Sequence, residues 1–216
     1  MPINGNDVIA PGLAGCACAI VVDTGSSMSG NEAVMKQMLA AFRETFAQVD
    51  WMLPELCLIT SGDGRQLVEP FGPAAAFPAD VPLCCAGGSA NHAALRMVLE
   101  AVRQRNAGYK AEGRAFYRPM IFLLSDGRSS DADDGICAGL LQLQEERKII
   151  VLGMGIGADV DADALKDLNV RRMMMRPDPE EVRELFPSCS SIPRPSGPDV
   201  VATTLELPQT IRVDTD

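Results

Sequence analysis

The architecture of this chain can be inferred from one stretch, CACAIVVDTGSSMSG, at residues 16–30. Residues 16–22 are continuously apolar and lie between Gly15 and Asp23, which is typical of a central strand buried on both faces. Beyond this stretch, apolar residues recur at spacings of three and four and define one buried helical stripe. They are Met35, Met38, Phe42, Phe46 and Val49. A buried strand followed by an amphipathic helix indicates a parallel sheet covered by helices.

The same alternation of apolar runs and helical periods continues to about residue 187. Further strands are predicted at 56–60, 66–68, 120–124, 149–152 and 173–175, and further helices at 95–102, 131–147, 162–168 and 179–186. The proline-rich segment 70–82 is predicted to be an irregular connection. The pattern predicts an α/β fold, a three-layer Rossmann-like sandwich with a mostly parallel sheet, helices on both faces and an antiparallel edge strand.

We expect one domain at residues 16–187, between an N-terminal extension at 1–15 and a Pro- and Ser-rich tail at 188–216. The composition is that of a globular protein, with 47% hydrophobic and 22% charged residues and no apolar run long enough for a membrane helix. Because the N-terminal residues lack the pattern of an export signal, the expected compartment is the cytoplasm.

Net charge limits the partners that this chain can bind, and its cysteine and histidine content limits the sites that it can form. The net charge of −10 opposes binding to a phosphate backbone, so nucleic acid is not expected as a partner. A membrane is not expected either, because no apolar run is long enough to span it. The chain has seven cysteines, an odd number, with no CxxC pair, and His92 is the only histidine. This argues against a zinc site or a disulfide framework.

Three loops carry polar side chains at the expected carboxyl ends of strands, where parallel sheets bind their ligands. They are residues 23–30, 87–89 and 125–127, and they contain the carboxylates of Asp23 and Asp126 and the hydroxyls of Ser26, Ser27 and Ser89. Oxygen ligands with few formal charges suit Mg²⁺ or Mn²⁺. Taken singly, Asp23 would more often be a helix cap and His92 a surface or capping residue, and Asp126 would be an ordinary turn residue as often as a ligand.

Five segments together resemble the von Willebrand factor A family, and within it the bacterial tellurite-resistance TerY-like branch, over about residues 16–187. They are VVDTGSSMSG, LITSGDG, GGSANHAAL, RPMIFLLSDG and IIVLGMGIG. In that family these loops form a metal-ion-dependent adhesion site. The resemblance implies that Asp23, Ser27 and Ser89 bind the ion directly and that Asp126 binds it through water.

This chain departs from the family pattern at two neighbouring positions. Gly25 stands where the family has a metal-binding serine, and Ser26 stands where the family has glycine. Ser26 or a water molecule is therefore the candidate for the missing ligand. The resemblance implies a protein-interaction module, not an enzyme, in which a partner's Asp or Glu side chain completes the coordination of the metal. For the TerY-like branch it implies a role in tellurite or stress resistance, alongside a phosphatase or kinase.

Two other functions remain as alternatives. In the first, the domain is a metal-free scaffold in which Gly25 marks a degenerate site. In the second, the string Asp-Thr-Gly-Ser-Ser at 23–27 belongs to an aspartic peptidase, which needs two carboxyl groups that share a proton. The chain has no second Asp-Thr-Gly or Asp-Ser-Gly, and the residues after Asp23 have a helical period, so the peptidase is disfavoured.

Overall fold

The computed structural model describes residues 13–62 and 68–185 as one six-stranded sheet with helices on both faces. The strands are β1 (Gly15–Val22), β2 (Leu53–Thr60), β3 (Val68–Pro73), β4 (Met120–Ser125), β5 (Ile150–Gly155) and β6 (Met173–Met175). The helices are α1 (Glu32–Ala47), α2 (Asn91–Ala111), α3 (Ile136–Glu145), α4 (Ala162–Asp167) and α5 (Pro179–Glu184). Within the described ranges, no helix has both the length and the apolar character needed to cross a membrane.

The strand order is β3-β2-β1-β4-β5-β6, and all neighbours are parallel except the edge pair β2 and β3. This confirms the predicted mostly parallel sheet with an antiparallel edge strand. At the end of β1, Val22 pairs with Thr60 of β2 and with Leu124 of β4. The residues that follow these three strands therefore meet at one edge of the sheet.

Alternate side chains of β1 enter two separate cores because successive residues of a strand point to opposite faces. Ile20 and Val22 pack with α1 and α5 on one face, whereas Ala19 and Val21 pack with α2, α3 and α4 on the other. All eight residues of β1 are buried, which explains why its sequence is continuously apolar. Each large apolar side chain in these cores contributes about 1.5–3 kcal/mol by burial.

Two predicted boundaries were wrong. The proline-rich segment was expected to be irregular from Pro70, but Pro70 and Pro73 lie within β3. An edge strand tolerates proline because the N–H group on its outer side has no partner strand. Helix α3 was expected from Asp131 but begins at Ile136, after Gly135 with a φ of 84°. The predicted extension and tail, 1–15 and 188–216, lie almost entirely outside the described residues, so the domain boundaries stay predictions.

Candidate functional site

Asp23 is the first residue after the central strand, and its side chain is completely buried. Its backbone N–H donates to the carbonyl of Leu124 at 2.8 Å, which fixes the residue against β4 at the carboxyl edge of the sheet. Burying a carboxyl group is costly unless hydrogen bonds compensate for the lost water. The surrounding loops must therefore supply donors to both of its oxygens.

Four donors from three loops meet the Asp23 carboxyl group. Its Oδ1 accepts from the backbone N–H of Gly25 at 2.9 Å and from the Ser89 hydroxyl at 2.7 Å. Its Oδ2 accepts from Asn91 Nδ2 at 2.9 Å and from the Ser125 hydroxyl at 2.7 Å. All four donors are neutral, so they satisfy the oxygens of the carboxylate without cancelling its charge.

Asn91 connects this network to the loop after β2 and makes a second bond to the loop after β4. Its Nδ2 also donates to the carbonyl of Arg128 at 2.8 Å, and its Oδ1 accepts from the Ser61 hydroxyl at 2.7 Å. The side chain is fully buried at the start of α2. A buried amide that uses both ends in this way holds the loops after β1, β2 and β4 in a fixed relation.

The second carboxylate, that of Asp126, follows β4 and is 5% exposed. Its Oδ1 accepts from the backbone N–H of Arg128 at 3.0 Å, and its backbone carbonyl accepts from Asp161 N–H at 2.8 Å. The next residue, Gly127, has a φ of 95°, and a Cβ there would lie 2.4 Å from the Asp161 carbonyl oxygen. Only glycine fits this turn, so the position of Asp126 is fixed by close packing.

Gly25 has a direct steric role in the site. A Cβ built on Gly25 would lie 1.9 Å from the hydroxyl oxygen of Ser89. Its backbone is extended, with a φ of −64°, so the residue is not needed for its conformational freedom. Glycine at this position instead leaves the space through which Ser89 reaches Asp23. The Ser89 hydroxyl thus fills the volume where a side chain of residue 25 would begin.

The five predicted ligands lie in two different environments. Ser89 contacts Asp23 directly, and Asp126 follows Ser125, which also contacts Asp23. Ser26 and Ser27 lie in a short 3-10 turn, Ser26–Met28, and both are exposed. Among the described hydrogen bonds of the Asp23 carboxyl group, none comes from either of these two serines. They border the buried network from the solvent side of the same loop.

Two members of the network, Asn91 and Ser125, were not predicted from the sequence. Ser125 stood inside the Ser-Asp-Gly segment that drew attention to Asp126, and a strand-end hydroxyl beside a carboxylate was the available signal. Asn91 lies 68 residues from Asp23 along the chain. Its only sequence signal was its position two residues after Ser89 at the predicted start of a helix.

No protein-family model matches the chain, and no curated protein matches it. Solved structures do match, and three of them are compared with this chain. The ArnB paralog VWA2 from Sulfolobus acidocaldarius aligns with a TM-score of 0.55 and 17% identity over 81% of this chain and 44% of that one. A von Willebrand factor type A protein from Catenulispora acidiphila aligns with a TM-score of 0.57 and 18% identity over 79% of this chain and 42% of that one. Manganese-loaded TRAP protein of Plasmodium vivax aligns with a TM-score of 0.55 and 13% identity over 79% of this chain and 71% of that one.

The chain has the fold of a von Willebrand factor A domain. It spans less than half the length of the first two proteins, and at these identities the likeness concerns the fold alone. In this von Willebrand factor A fold, the polar network around Asp23 lies where the carboxyl ends of β1 and β4 meet. The predicted fold class is therefore confirmed, whereas the TerY-like branch is not tested by these matches.

Proposed function

We propose that this domain is a metal-dependent protein-interaction module and not an enzyme. Its cation, Mg²⁺ or Mn²⁺, binds Asp23, Ser27 and Ser89 directly and Asp126 through water. The observation that carries the proposal is the fully buried Asp23, which is held by four neutral donors at the sheet edge beside Asp126. Two acidic side chains at the same edge of the sheet make a region of negative potential that a divalent cation relieves.

The residues present fit a hard cation. Serine hydroxyls and carboxylates are the oxygen ligands that Mg²⁺ and Mn²⁺ prefer. A hydroxyl that donates its proton to Asp23 still has lone pairs, so Ser89 can keep its 2.7 Å hydrogen bond while its oxygen faces an ion. When bound, the cation supplies an exchangeable coordination position for an outside ligand. Ser27 is exposed on the loop that follows Asp23, and we propose its hydroxyl as a direct ligand.

Gly25 removes one hydroxyl that related sites are expected to have, and we propose that Ser89 limits the loss. Because Ser89 fills the space next to Gly25, one hydroxyl still lies against Asp23. The remaining position falls to exposed Ser26 or to water. A coordination sphere rich in water favours a cation that keeps part of its hydration shell, as Mg²⁺ does.

The open coordination position suits a carboxylate from another protein. We propose that the partner offers an Asp or Glu side chain. The manganese-loaded Plasmodium neighbour supports the proposal of a divalent metal in this fold. The sequence resemblance to the TerY-like branch supports a role in tellurite or stress resistance in the bacterial cytoplasm, with a phosphatase or kinase as partner. Nucleic acid is disfavoured as a partner because the chain carries a net charge of −10.

Calorimetry tests the metal site. Mg²⁺ and Mn²⁺ are titrated into the chelator-treated full chain and into Asp23→Asn and Asp126→Asn, with Asp50→Asn as the matched control. Asp50 is exposed and precedes β2, so it lies at the opposite edge of the sheet. We expect saturable binding of one ion to wild type and Asp50→Asn, and at least tenfold weaker binding to both site variants. Equal binding to wild type and Asp23→Asn would contradict the proposed ligands.

One observation favours the metal-free scaffold as the second candidate. Both oxygens of Asp23 already have two hydrogen-bond donors each, so the buried network is satisfied without an ion. A scaffold predicts no binding of Mg²⁺ or Mn²⁺ by wild type at millimolar concentration. The peptidase alternative is further disfavoured because the group that faces Asp23 from α2 is the amide of Asn91, and not a second carboxyl group.

A further inference from the structure

A second group of potential metal ligands lies at the start of α2 and α3. It consists of His92, Asp133 and Cys137, whose ligand atoms all lie within 4.8 Å of one another. Cys137 is buried, His92 is half-buried and Asp133 is exposed, so the cluster is open to solvent on one side. Zinc ligands lie about 2.0–2.3 Å from the ion, so small side-chain rotations suffice for the three to share one ion.

The imidazole of His92 is held in one orientation by Asp131. Its Nδ1 lies 2.9 Å from Asp131 Oδ1 and 3.0 Å from the Asp131 carbonyl oxygen. An ionised carboxylate and a carbonyl only accept hydrogen bonds, so Nδ1 carries the proton and Nε2 of the neutral ring keeps a lone pair. Histidines that bind metal are commonly oriented by such a carboxylate.

Asp131 is itself firmly placed, which strengthens this orientation. It accepts from the Ser129 hydroxyl at 2.6 Å and from the backbone N–H groups of His92 and Ala93 at 3.2 and 2.8 Å. The sequence predicted a helix from residue 131, but Asp131 lies before α3 and caps α2 instead. The carboxylate thus fixes both the backbone and the ring of the same histidine.

Asp133 and Cys137 are brought together by the first turn of α3. The Oδ1 of Asp133 accepts from the backbone N–H of Cys137 at 3.1 Å, which places the carboxylate beside the thiol. Asp133 lies just before α3, and this bond to the first turn holds both groups at the start of the helix. The sequence argued against zinc because the chain has one histidine and no CxxC pair. It could not show that the fold brings that histidine to this thiol.

We propose that His92, Asp133 and Cys137 bind one Zn²⁺, with water in the fourth position, and that this ion joins the start of α2 to the start of α3. The combination of imidazole, thiolate and carboxylate suits zinc and does not suit Mg²⁺, which avoids sulfur. Binding replaces the thiol proton of Cys137, which passes to solvent, by a sulfur–metal bond. The site does not depend on the proposed function of Asp23, because the two share no ligand.

The test titrates Zn²⁺ alone into the chelator-treated full chain in competition with a chromophoric indicator. The site variants are His92→Gln, Cys137→Ser and Asp133→Asn, and circular dichroism confirms that each is folded. Asp133 is exposed, and asparagine keeps the oxygen that caps α3, so this variant is a safeguard if the more buried Cys137 does not tolerate substitution. Titration with Co²⁺ in place of Zn²⁺ reports sulfur ligation through a charge-transfer absorption band.

We expect wild type to bind one Zn²⁺ and each site variant to bind at least tenfold more weakly, with the Co²⁺ band absent from Cys137→Ser. Asp131→Ala is expected to bind about tenfold more weakly because the ring loses its orienting partner. The double variant Cys84→Ser/Cys85→Ser removes the cysteines of the described residues that are not buried, and it should bind as wild type does, as should Asp50→Asn. No saturable binding by wild type, full binding by His92→Gln, or loss of binding in the double cysteine variant would overturn the proposal.

Discussion

A side chain at position 25 should compete directly with the hydrogen bond between Ser89 and Asp23. The perturbation is Gly25→Ala, which places a methyl group 1.9 Å from the present position of the Ser89 hydroxyl oxygen. The φ of −64° at Gly25 suits any L residue, so the backbone adds no strain. Relief of the clash requires the Ser89 hydroxyl to rotate away from Asp23, which breaks their 2.7 Å hydrogen bond.

The magnitude follows from the bond that is lost. A hydrogen bond to a charged group contributes about 1.5–3 kcal/mol to stability. Replacing glycine by alanine at a compatible backbone position raises the free energy of unfolding by about 0.4–1 kcal/mol, because it restricts the unfolded chain. The net loss in the free energy of unfolding for Gly25→Ala is therefore roughly 1–2 kcal/mol. In a Ser89→Ala background the bond is already absent, so the same substitution should leave only the gain of about 0.4–1 kcal/mol from the restricted unfolded chain.

The assay is a double-mutant cycle of urea unfolding curves, recorded by circular dichroism on chelator-treated protein. The new methyl group also lies 3.1 Å from Ser89 Cβ and 3.2 Å from Ser89 N, but these contacts occur in both backgrounds and cancel in the cycle. We expect a coupling energy between positions 25 and 89 of about 1.5–3 kcal/mol, the value of the bond. Additive losses, with a coupling near zero, would refute the claim that Gly25 makes room for Ser89.

Three further predictions concern the rest of the domain. Burial alone would raise the pKa of Asp131, but hydrogen bonds from Ser129 and from backbone N–H groups hold it below the ordinary 3.8. Its ionised form therefore stabilises the fold above pH 3.8 and loses that effect as the pH falls further, so urea midpoints of wild type and Asp131→Asn should converge in acid. Phe122→Ala should lower the free energy of unfolding by about 3–5 kcal/mol in thermal or urea melts, because its ring packs 4.7 Å from that of Phe42. Mass spectrometry after brief alkylation should find exposed Cys84 modified before Cys57, since burial raises the pKa of the Cys57 thiol to about 12.

The sheet could be predicted from the sequence because its central strands are fully buried. The strands β1 and β4 are buried at every residue, so burial on both faces appears directly as a continuous apolar run. The edge strand β3 gave no such signal, because it is mostly exposed or half-buried and contains Pro70. Whether a proline-rich segment forms an edge strand depends on the neighbouring strand, which local sequence does not reveal.

The polar network could be predicted only in part, for a related reason. Asp23 and Asp126 follow obvious strands, so their positions at the sheet edge followed from topology. Asn91 and Asp131 act on residues that are distant along the chain, and both could equally have been ordinary helix-start residues. Their roles depend on how the loops before α2 and after β4 lie against each other, which is a property of the packed structure.

The satisfied state of Asp23 bears on how a cation and a partner would act together. An ion that binds Asp23 directly must reach an oxygen that already accepts two hydrogen bonds, and losing one of them, worth about 1.5–3 kcal/mol, would weaken binding by about 10- to 150-fold. A partner carboxylate that binds the same ion restores part of this loss. Metal and partner should therefore each increase the affinity of the domain for the other by the same factor, because the coupling between two ligands is reciprocal. On this reasoning a weak affinity for the metal alone is compatible with a functional site, provided that Asp23→Asn abolishes what binding there is.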